Sequence, residues 1–291
     1  MKAIACELPR EHGLPLSRFS RAELHRLVIE RGVTEASGAT IARWLREDAL
    51  KPWQHRSWIF PTDPAFLEKA GPVLDLYQGR WEGRLLHPGE FVICADEKPS
   101  IQARARIHEP LPPSSGSRGQ RVEHTYERRG ALTYLAALDI GRRGGRRPRV
   151  MGRSECKGGI ESFDRLVWQV MTKEPYASAR RVFWIVDNGS SHRGRRSIER
   201  LEGRWPNLRL VHLPVHASWL NQVEIFFSIL QRKVLEPNDF EALSVLARTL
   251  NEFEQHWNDV AEPFEWSFTR GDLAELMERL AAHEPRLQLA A

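Results

Sequence analysis

The chain has 291 residues, with 43 Lys and Arg against 38 Asp and Glu, a net charge of +5 and 41% hydrophobic residues. This composition supports a hydrophobic core and one large domain or two small ones. The three cysteines lack the spacing of a zinc site or a disulfide framework, which suits a reducing compartment. The apolar runs are too short to span a membrane and the first residues do not form a signal peptide, so we expect a cytoplasmic protein without a membrane partner.

Two short amphipathic segments near the start, Ser20–Gly32 and Ser37–Leu50, are predicted to be helices. The first opens with Ser20 and carries Glu23 three residues later, which is the pattern of a capping box. Two short helices joined by a tight turn are typical of a helix-turn-helix DNA-binding domain, which we expect over residues 1–62. An ordinary pair of helices fits this pattern equally well.

Basic residues near these helices are candidate DNA contacts. Arg43 and Arg46 lie on the predicted exposed face of the second helix, and Lys51 and Arg56 lie in the basic, aromatic stretch that follows. Such side chains bind phosphates or base edges. A linker is expected over residues 63–90, with a helix that is broken or kinked at Pro72.

From Phe91 the sequence alternates between predicted strands and helices, which indicates an α/β fold with a mixed sheet flanked by helices. This domain is expected over residues 91–260, followed by a helical segment over residues 261–291. Within it, the stretch from Lys98 to Gly130 shows little regular pattern, and unpatterned insertions of this size are usually functional or disordered. We take Arg104 and Arg106 in this stretch as candidate DNA contacts.

A second basic run, "HRGRR", follows the predicted strand "RVFWIVD". His192 and Arg193 at its start are further candidate contacts to DNA phosphate. A solvated loop is the open alternative for any single run of this kind, and for His192 a structural role fits equally well.

Two predicted strands end in aspartates, Asp96 in "FVICADE" and Asp187 in "RVFWIVD". If these strands are adjacent and parallel, both carboxylates emerge at the same edge of the sheet. Carboxylates that lie close together repel unless a cation lies between them, and Mg²⁺ is the obvious candidate. The alternatives are a plain strand end for Asp96 and an Asn-Gly turn at Asp187. Asp139 also ends an apolar run, but an antiparallel strand would place it at the opposite edge.

A third acid, Glu224, interrupts the most apolar helix candidate, "VHASWLNQVEIFFSILQRKV". The helix is apolar on two sides, and Glu224 opens a thin polar seam between them. Facing the two aspartates, it would complete a set of three carboxylates that holds two metal ions about 3.5–4 Å apart. A capping box with Asn221 as the N-cap explains Glu224 equally well.

The segments "CADEK", "VDNGSSH" and "HLPVHASWLNQVEIFFSILQRK" together resemble the DDE transposases of bacterial insertion sequences, in the mariner-like branch. Asp187 and Glu224 are 37 residues apart, close to the short spacing of that branch. The resemblance implies an RNase H-like fold, with Asp96, Asp187 and Glu224 as the catalytic residues that bind two Mg²⁺ or Mn²⁺ ions. Asn188 and Asn221 would support them.

The same resemblance implies an activity on double-stranded DNA. The enzyme would cleave the inverted repeats at the ends of an element and join the freed 3′-hydroxyl to target DNA, as a homodimer associated with the nucleoid. Family members usually carry two helix-turn-helix units in tandem, whereas only 19 residues precede Ser20 here. We therefore expect a shortened DNA-binding domain, and the alternative function is a truncated copy that binds DNA without transposition activity.

Overall fold

A computed structural model describes residues 1–48, 50–54, 61, 63–115, 119–142, 145–189, 192 and 194–287, with the side chains of 283–287 excepted. The chain divides into two compact units, Met1–Phe60 and Pro61–Ala291. Two candidate DNA contacts, Arg56 and Arg193, lie outside the described residues.

The first unit contains the two predicted helices, α2 (Arg21–Glu30) and α3 (Gly38–Glu47), preceded by a short helix α1 (Lys2–Ala5) and a 3₁₀ turn. The capping box is confirmed: the backbone N–H of Glu23 donates to the Ser20 hydroxyl at 3.2 Å, and the N–H of Ser20 donates to the Glu23 carboxylate at 2.7 Å. The apolar faces of α2 and α3 form a small core of their own. Helix α1 has only four residues, too few to show a helical period in the sequence.

The second unit begins with α4 (Phe66–Tyr77), which continues through Pro72. The predicted break at Pro72 is wrong, because the helix is not interrupted, and the alternative of a kink stays a prediction. Ala70, Val73 and Leu74 around the proline are fully buried, and this packing offsets the hydrogen bond that proline cannot make. A short hairpin follows, with strands β1 (Arg80–Trp81) and β2 (Arg84–Leu85).

A mixed sheet of five strands in the described residues forms the centre of this unit, in the order β5-β4-β3-β6-β7. Strand β3 pairs antiparallel with β4 and parallel with β6. The strands are β3 (Glu90–Ala105), β4 (Glu127–Asp139), β5 (Arg149–Glu155), β6 (Arg181–Val186) and β7 (Leu208–His212). The predicted α/β fold with a mixed sheet is confirmed.

Helices cover both faces of the sheet, and the alternation of side chains along β3 assigns residues to each face. Phe91, Ile93 and Ala95 pack with α5 and α6. Val92 and Cys94 pack on the other face with α4, α7 and α8. The helices are α5 (Ile160–Met171), α6 (Gly194–Arg204), α7 (Val223–Leu230), α8 (Leu243–Val260) and α9 (Arg270–Leu287).

The sheet extends into the stretch that showed no regular pattern. Strand β3 continues to Ala105 and β4 begins at Glu127, so a long hairpin replaces part of the expected insertion. The pairing is irregular between Lys98 and Ile101 and again between Gln102 and Arg104. Such bulges shift the alternation of apolar residues, which hides the strand from a reading of the sequence.

The stretches 63–90 and 261–291, expected to be a linker and a terminal segment, both belong to the second compact unit. Arg270 at the start of α9 donates two hydrogen bonds to Asp75 of α4, at 2.6 and 2.7 Å. The expected division of the chain into residues 1–62, 63–90, 91–260 and 261–291 stays a prediction. In the described part of the chain, no helix has the length and apolarity needed to cross a membrane.

Asp139, at the end of β4, lies opposite Ile93 of β3, away from the level of Asp96 in the antiparallel pairing. Its buried carboxylate receives two hydrogen bonds from Arg146, both at 3.1 Å, and one from the hydroxyl of Tyr176 at 2.9 Å. The N–H of Gly141 donates a further one at 3.0 Å. Asp139 is thus a fully bonded structural acid that closes the turn between β4 and β5.

We expect Arg146→Met to lower the free energy of unfolding by about 3–5 kcal/mol, because it leaves the buried carboxylate of Asp139 without its cation. The neighbouring Arg147 pairs with Glu262 at the surface, where both side chains are more than half exposed. Arg147→Met is the matched control and should cost less than about 1 kcal/mol. Urea unfolding of the three proteins measures both values, and equal losses would contradict this role of Asp139.

Candidate active site

Asp96 and Asp187 lie at the same level of the sheet on neighbouring strands. The parallel pairing of β3 with β6 matches Cys94 with Ile185, and each aspartate lies two residues beyond its member of that pair. The two strands are therefore adjacent and parallel, which is the condition for both carboxylates to emerge at one edge of the sheet. By the alternation along β3, Asp96 is on the same face as Cys94, the face that α7 covers.

Glu224 is the second residue of α7, and the segment before it is attached to the sheet beside Asp96. The side-chain amide of Asn221 donates to the carbonyl of Ala95 at 3.0 Å, and the hydroxyl of Tyr77 donates to the carbonyl of Leu220 at 2.6 Å. The N-cap of α7 is Gln222, which makes no side-chain cap hydrogen bond. The alternative capping box from Asn221 is therefore not formed, and Asn221 orients the helix start instead.

The pKa of Asp96 is raised in part by the charges of the other two acids. Burial raises its pKa most, the N–H of Glu97 opposes this, and the charges of Asp187 and Glu224 add to the increase, giving a pKa of about 7. The N–H of Glu97 donates to Asp96 at 2.7 Å. An ionised Asp96 at neutral pH is thus an unfavourable charge in a partly buried place.

The other two acids have different surroundings. The ring of His192 lowers the pKa of Asp187 against the effect of burial, and the N–H of Gly189 lowers it further. Burial raises the pKa of Glu224, Lys98 lowers it, and the charge of Asp187 raises it. Within the described residues, no three His, Cys, Asp or Glu side chains are arranged to hold a single metal ion. The carboxylates of Asp96, Asp187 and Glu224 affect one another's pKa without closing around one point.

Asn188 and His192 lie in the loop after β6, close to Asp187. The side-chain amide of Asn188 donates to the carbonyl of Leu213 at 2.7 Å, which ties this loop to the one that leads to Glu224. The His192 side chain is 2% exposed and its Nε2 contacts Oδ1 of Asp187. In this conformation His192 faces the acid and not the solvent.

The other candidate DNA contacts are divided between the two units. Arg43, Arg46 and Lys51 are exposed in the first unit. Arg104 and Arg106 are half-buried in the β3–β4 hairpin, where both guanidinium groups lie over the ring of Tyr126. Arg106 also donates to the carbonyls of Glu123 and Asn238. Contact with DNA stays a prediction for all of these residues.

Two residues that support the site were missed by the sequence analysis. Lys98 lies two residues after Asp96 and hence on the same face of β3, so strand alternation could have identified it. Tyr77 bonds the segment before α7 from a helix 143 residues earlier in the chain, and no local pattern indicates such a contact.

The order of the strands and the flanking helices define the second unit as an RNase H-like α/β domain. Residues 92–247 match the family model of the DDE superfamily endonucleases. The chain belongs to this family, and the predicted assignment to the DDE transposases of the mariner-like branch is confirmed.

A relative and a solved structure are consistent with this assignment. The chain is 22% identical to the insertion element IS630 uncharacterized 39 kDa protein of Shigella sonnei over 265 residues, 88% of this chain and 68% of that protein. It also matches the crystal structure of the Mos1 mariner paired end complex with Mn, with a TM-score of 0.51 and 17% identity over 85% of this chain and 75% of that one. This structural likeness concerns the fold.

We expect Asp96→Asn to stabilise the protein in the presence of a chelator. At pH 8 the folded wild type holds an ionised Asp96 whose pKa is raised to about 7, and removing that charge should add about 1–3 kcal/mol to the free energy of unfolding. Because the folded pKa of Asp96 is the higher one, the contribution of Asp96 to wild-type stability falls as the pH rises from about 4 to 7, and the advantage of the variant grows over the same range. Urea unfolding at pH 5 and pH 8 measures this difference.

The control for this prediction is Glu199→Gln, which removes an acid from an exposed pair with Arg195 on α6. It should change the stability by less than about 1 kcal/mol at both pH values. If Asp96→Asn were less stable than the wild type at pH 8, the negative charge of Asp96 would have to be stabilised by other groups in the folded protein, and the prediction would be wrong.

Proposed function

We propose that this protein is an insertion-sequence transposase that cleaves DNA at terminal inverted repeats and transfers the freed strand to target DNA. The observation that carries the proposal is the convergence of Asp96, Asp187 and Glu224 at one edge of the sheet, where the charges of Asp187 and Glu224 both raise the pKa of Asp96. A protein gains no stability from such an arrangement. It supports a site that works with bound cations.

The residues present fit two Mg²⁺ or Mn²⁺ ions, because all three candidate ligands supply carboxylate oxygens and lie near enough for their charges to act on one another. Asp96, Asp187 and Glu224 would hold these ions. Such ions activate the attacking hydroxyl group and stabilise the leaving oxygen in phosphoryl transfer. The Mos1 match is a complex with Mn, which agrees with this assignment.

The remaining residues position the acids and contact the substrate. Asn221 and Tyr77 fix the start of α7 against the sheet, so that Glu224 is held in place before the substrate binds. Arg43, Arg46 and Lys51 in the first unit contact the element ends, and Lys98 beside Glu224 contacts a phosphate of the scissile strand. We propose a homodimer on double-stranded DNA, in keeping with the paired ends of the Mos1 complex, acting on the bacterial nucleoid.

The test is strand cleavage and strand transfer on labelled duplexes that carry the repeats flanking the element, with Mg²⁺ or Mn²⁺. We expect the wild type to nick at the repeat ends and to join the 3′-hydroxyl to a target duplex. Asp187→Asn and Glu224→Gln should each reduce cleavage by more than about a hundredfold, since the loss of a partner to a metal ligand alone costs about 10–100-fold. Glu199→Gln on α6 is the control and should cleave like the wild type.

Binding of the same duplexes, measured by gel shift, separates the outcomes. If the wild type binds the repeats and never cuts them, the chain is a DNA-binding copy without transposition activity. Cleavage that persists in both variants would show that these acids are not catalytic.

A further inference from the structure

The loop after β6 folds back on the second acid of the site. The N–H of Gly189 donates to Oδ1 of Asp187 at 2.7 Å, and Nε2 of His192 contacts the same oxygen. Since a carboxylate accepts hydrogen bonds, Nε2 is the protonated nitrogen of the ring in this contact. Two donors thus hold one oxygen of Asp187 from the protein side.

His192 is itself fixed by groups from two other elements. Its ring packs against Phe163 of α5, with 4.8 Å between the ring centroids. Its carbonyl is hydrogen-bonded to Nε2 of His212, at the end of β7, at 2.7 Å. The ring therefore has little freedom to turn away from Asp187 and towards bound DNA.

The space around Gly189 also shows how closely Asp187 and His192 approach each other. A Cβ atom at this residue would lie 2.9 Å from Oδ1 of Asp187 and 3.1 Å from Nε2 of His192. Any larger residue would have to separate the histidine from the acid or shift the loop. Glycine at residue 189 lets the two side chains meet.

We propose that His192 is a positioning residue, which fixes the carboxylate of Asp187 in the orientation that binds the divalent ions. This inference rests on the proposed function and assigns His192 to the acid, where the sequence analysis considered a phosphate contact. The hydrogen bond removes rotational freedom of the carboxylate before the ions bind. Outer partners of metal ligands act in this way, and their loss costs about 10–100-fold in metal affinity.

The test measures the affinity for Mn²⁺ without DNA, by the electron paramagnetic resonance signal of free Mn²⁺, together with the thermal stability of each protein. His192→Leu keeps an apolar side chain against Phe163 and removes the donor. It should weaken Mn²⁺ binding by about 10–100-fold. His192→Gln restores an N–H donor at a similar reach and should bind within about threefold of the wild type.

A second variant approaches the same contact from the glycine. Gly189→Ala leaves both side chains intact, yet it should weaken Mn²⁺ binding by about tenfold because the added methyl group separates them. Its control is Gly203→Ala on α6, where a Cβ atom meets nothing within 4 Å. Val167→Ala, in the buried cluster that contains Phe163, is the control for a loss of stability without a change at Asp187.

The outcomes distinguish this inference from the proposed function. If Asp187→Asn abolishes Mn²⁺ binding while His192→Leu and Gly189→Ala bind like the wild type, the positioning role is wrong and the metal site stands. If Val167→Ala weakens binding as much as His192→Leu, the effect is general destabilisation and the positioning role is again wrong. A wild type that binds no Mn²⁺, or binds it equally well without Asp187, overturns the proposed function and this inference with it.

Discussion

The mutual repulsion of three carboxylates at one edge of the sheet is the constraint on which the rest of the second unit depends. Like charges in a partly buried place oppose folding, so other interactions must hold them together. The parallel register of β3 and β6 brings Asp96 level with Asp187, and the bond from Asn221 to Ala95 brings Glu224 to the same edge. Apolar packing on both faces of the sheet supplies the stability that offsets this repulsion.

The three acids are not equivalent, because each has a different local partner. Asp96 is mainly buried, Asp187 is hydrogen-bonded to His192 and Gly189, and Glu224 is half-buried near Lys98. Asp96 has the strongest tendency of the three to stay neutral, because burial and both neighbouring charges raise its pKa to about 7.

Local signals explain what the sequence predicted well. Asp96 and Asp187 were identified because each follows directly on an apolar run. Ser20 and Glu23 were identified because a capping box is defined by residues three positions apart. The β3–β4 hairpin and the side chain of Asn221 were less predictable for a physical reason. Two irregularities in the pairing disturb the alternation along the hairpin. The amide nitrogen of Asn221 bonds a strand 126 residues away, while its oxygen accepts only a long bond of 3.4 Å from Val223 of its own helix. In both cases the conformation depends on contacts with residues far away in the sequence, which local patterns do not show.

Asp139 shows what separates a structural acid from a functional one in this fold. Like Asp96 and Asp187 it ends an apolar run, and its side chain is 1% exposed. The protein gives it Arg146, Tyr176 and the N–H of Gly141 as partners, so its charge is compensated within the chain. Asp96 has one backbone donor and two acids nearby. Natural proteins keep such an uncompensated arrangement where function requires it, so the missing compensation of Asp96, more than its residue type or its place at a strand end, supports its assignment to the proposed site.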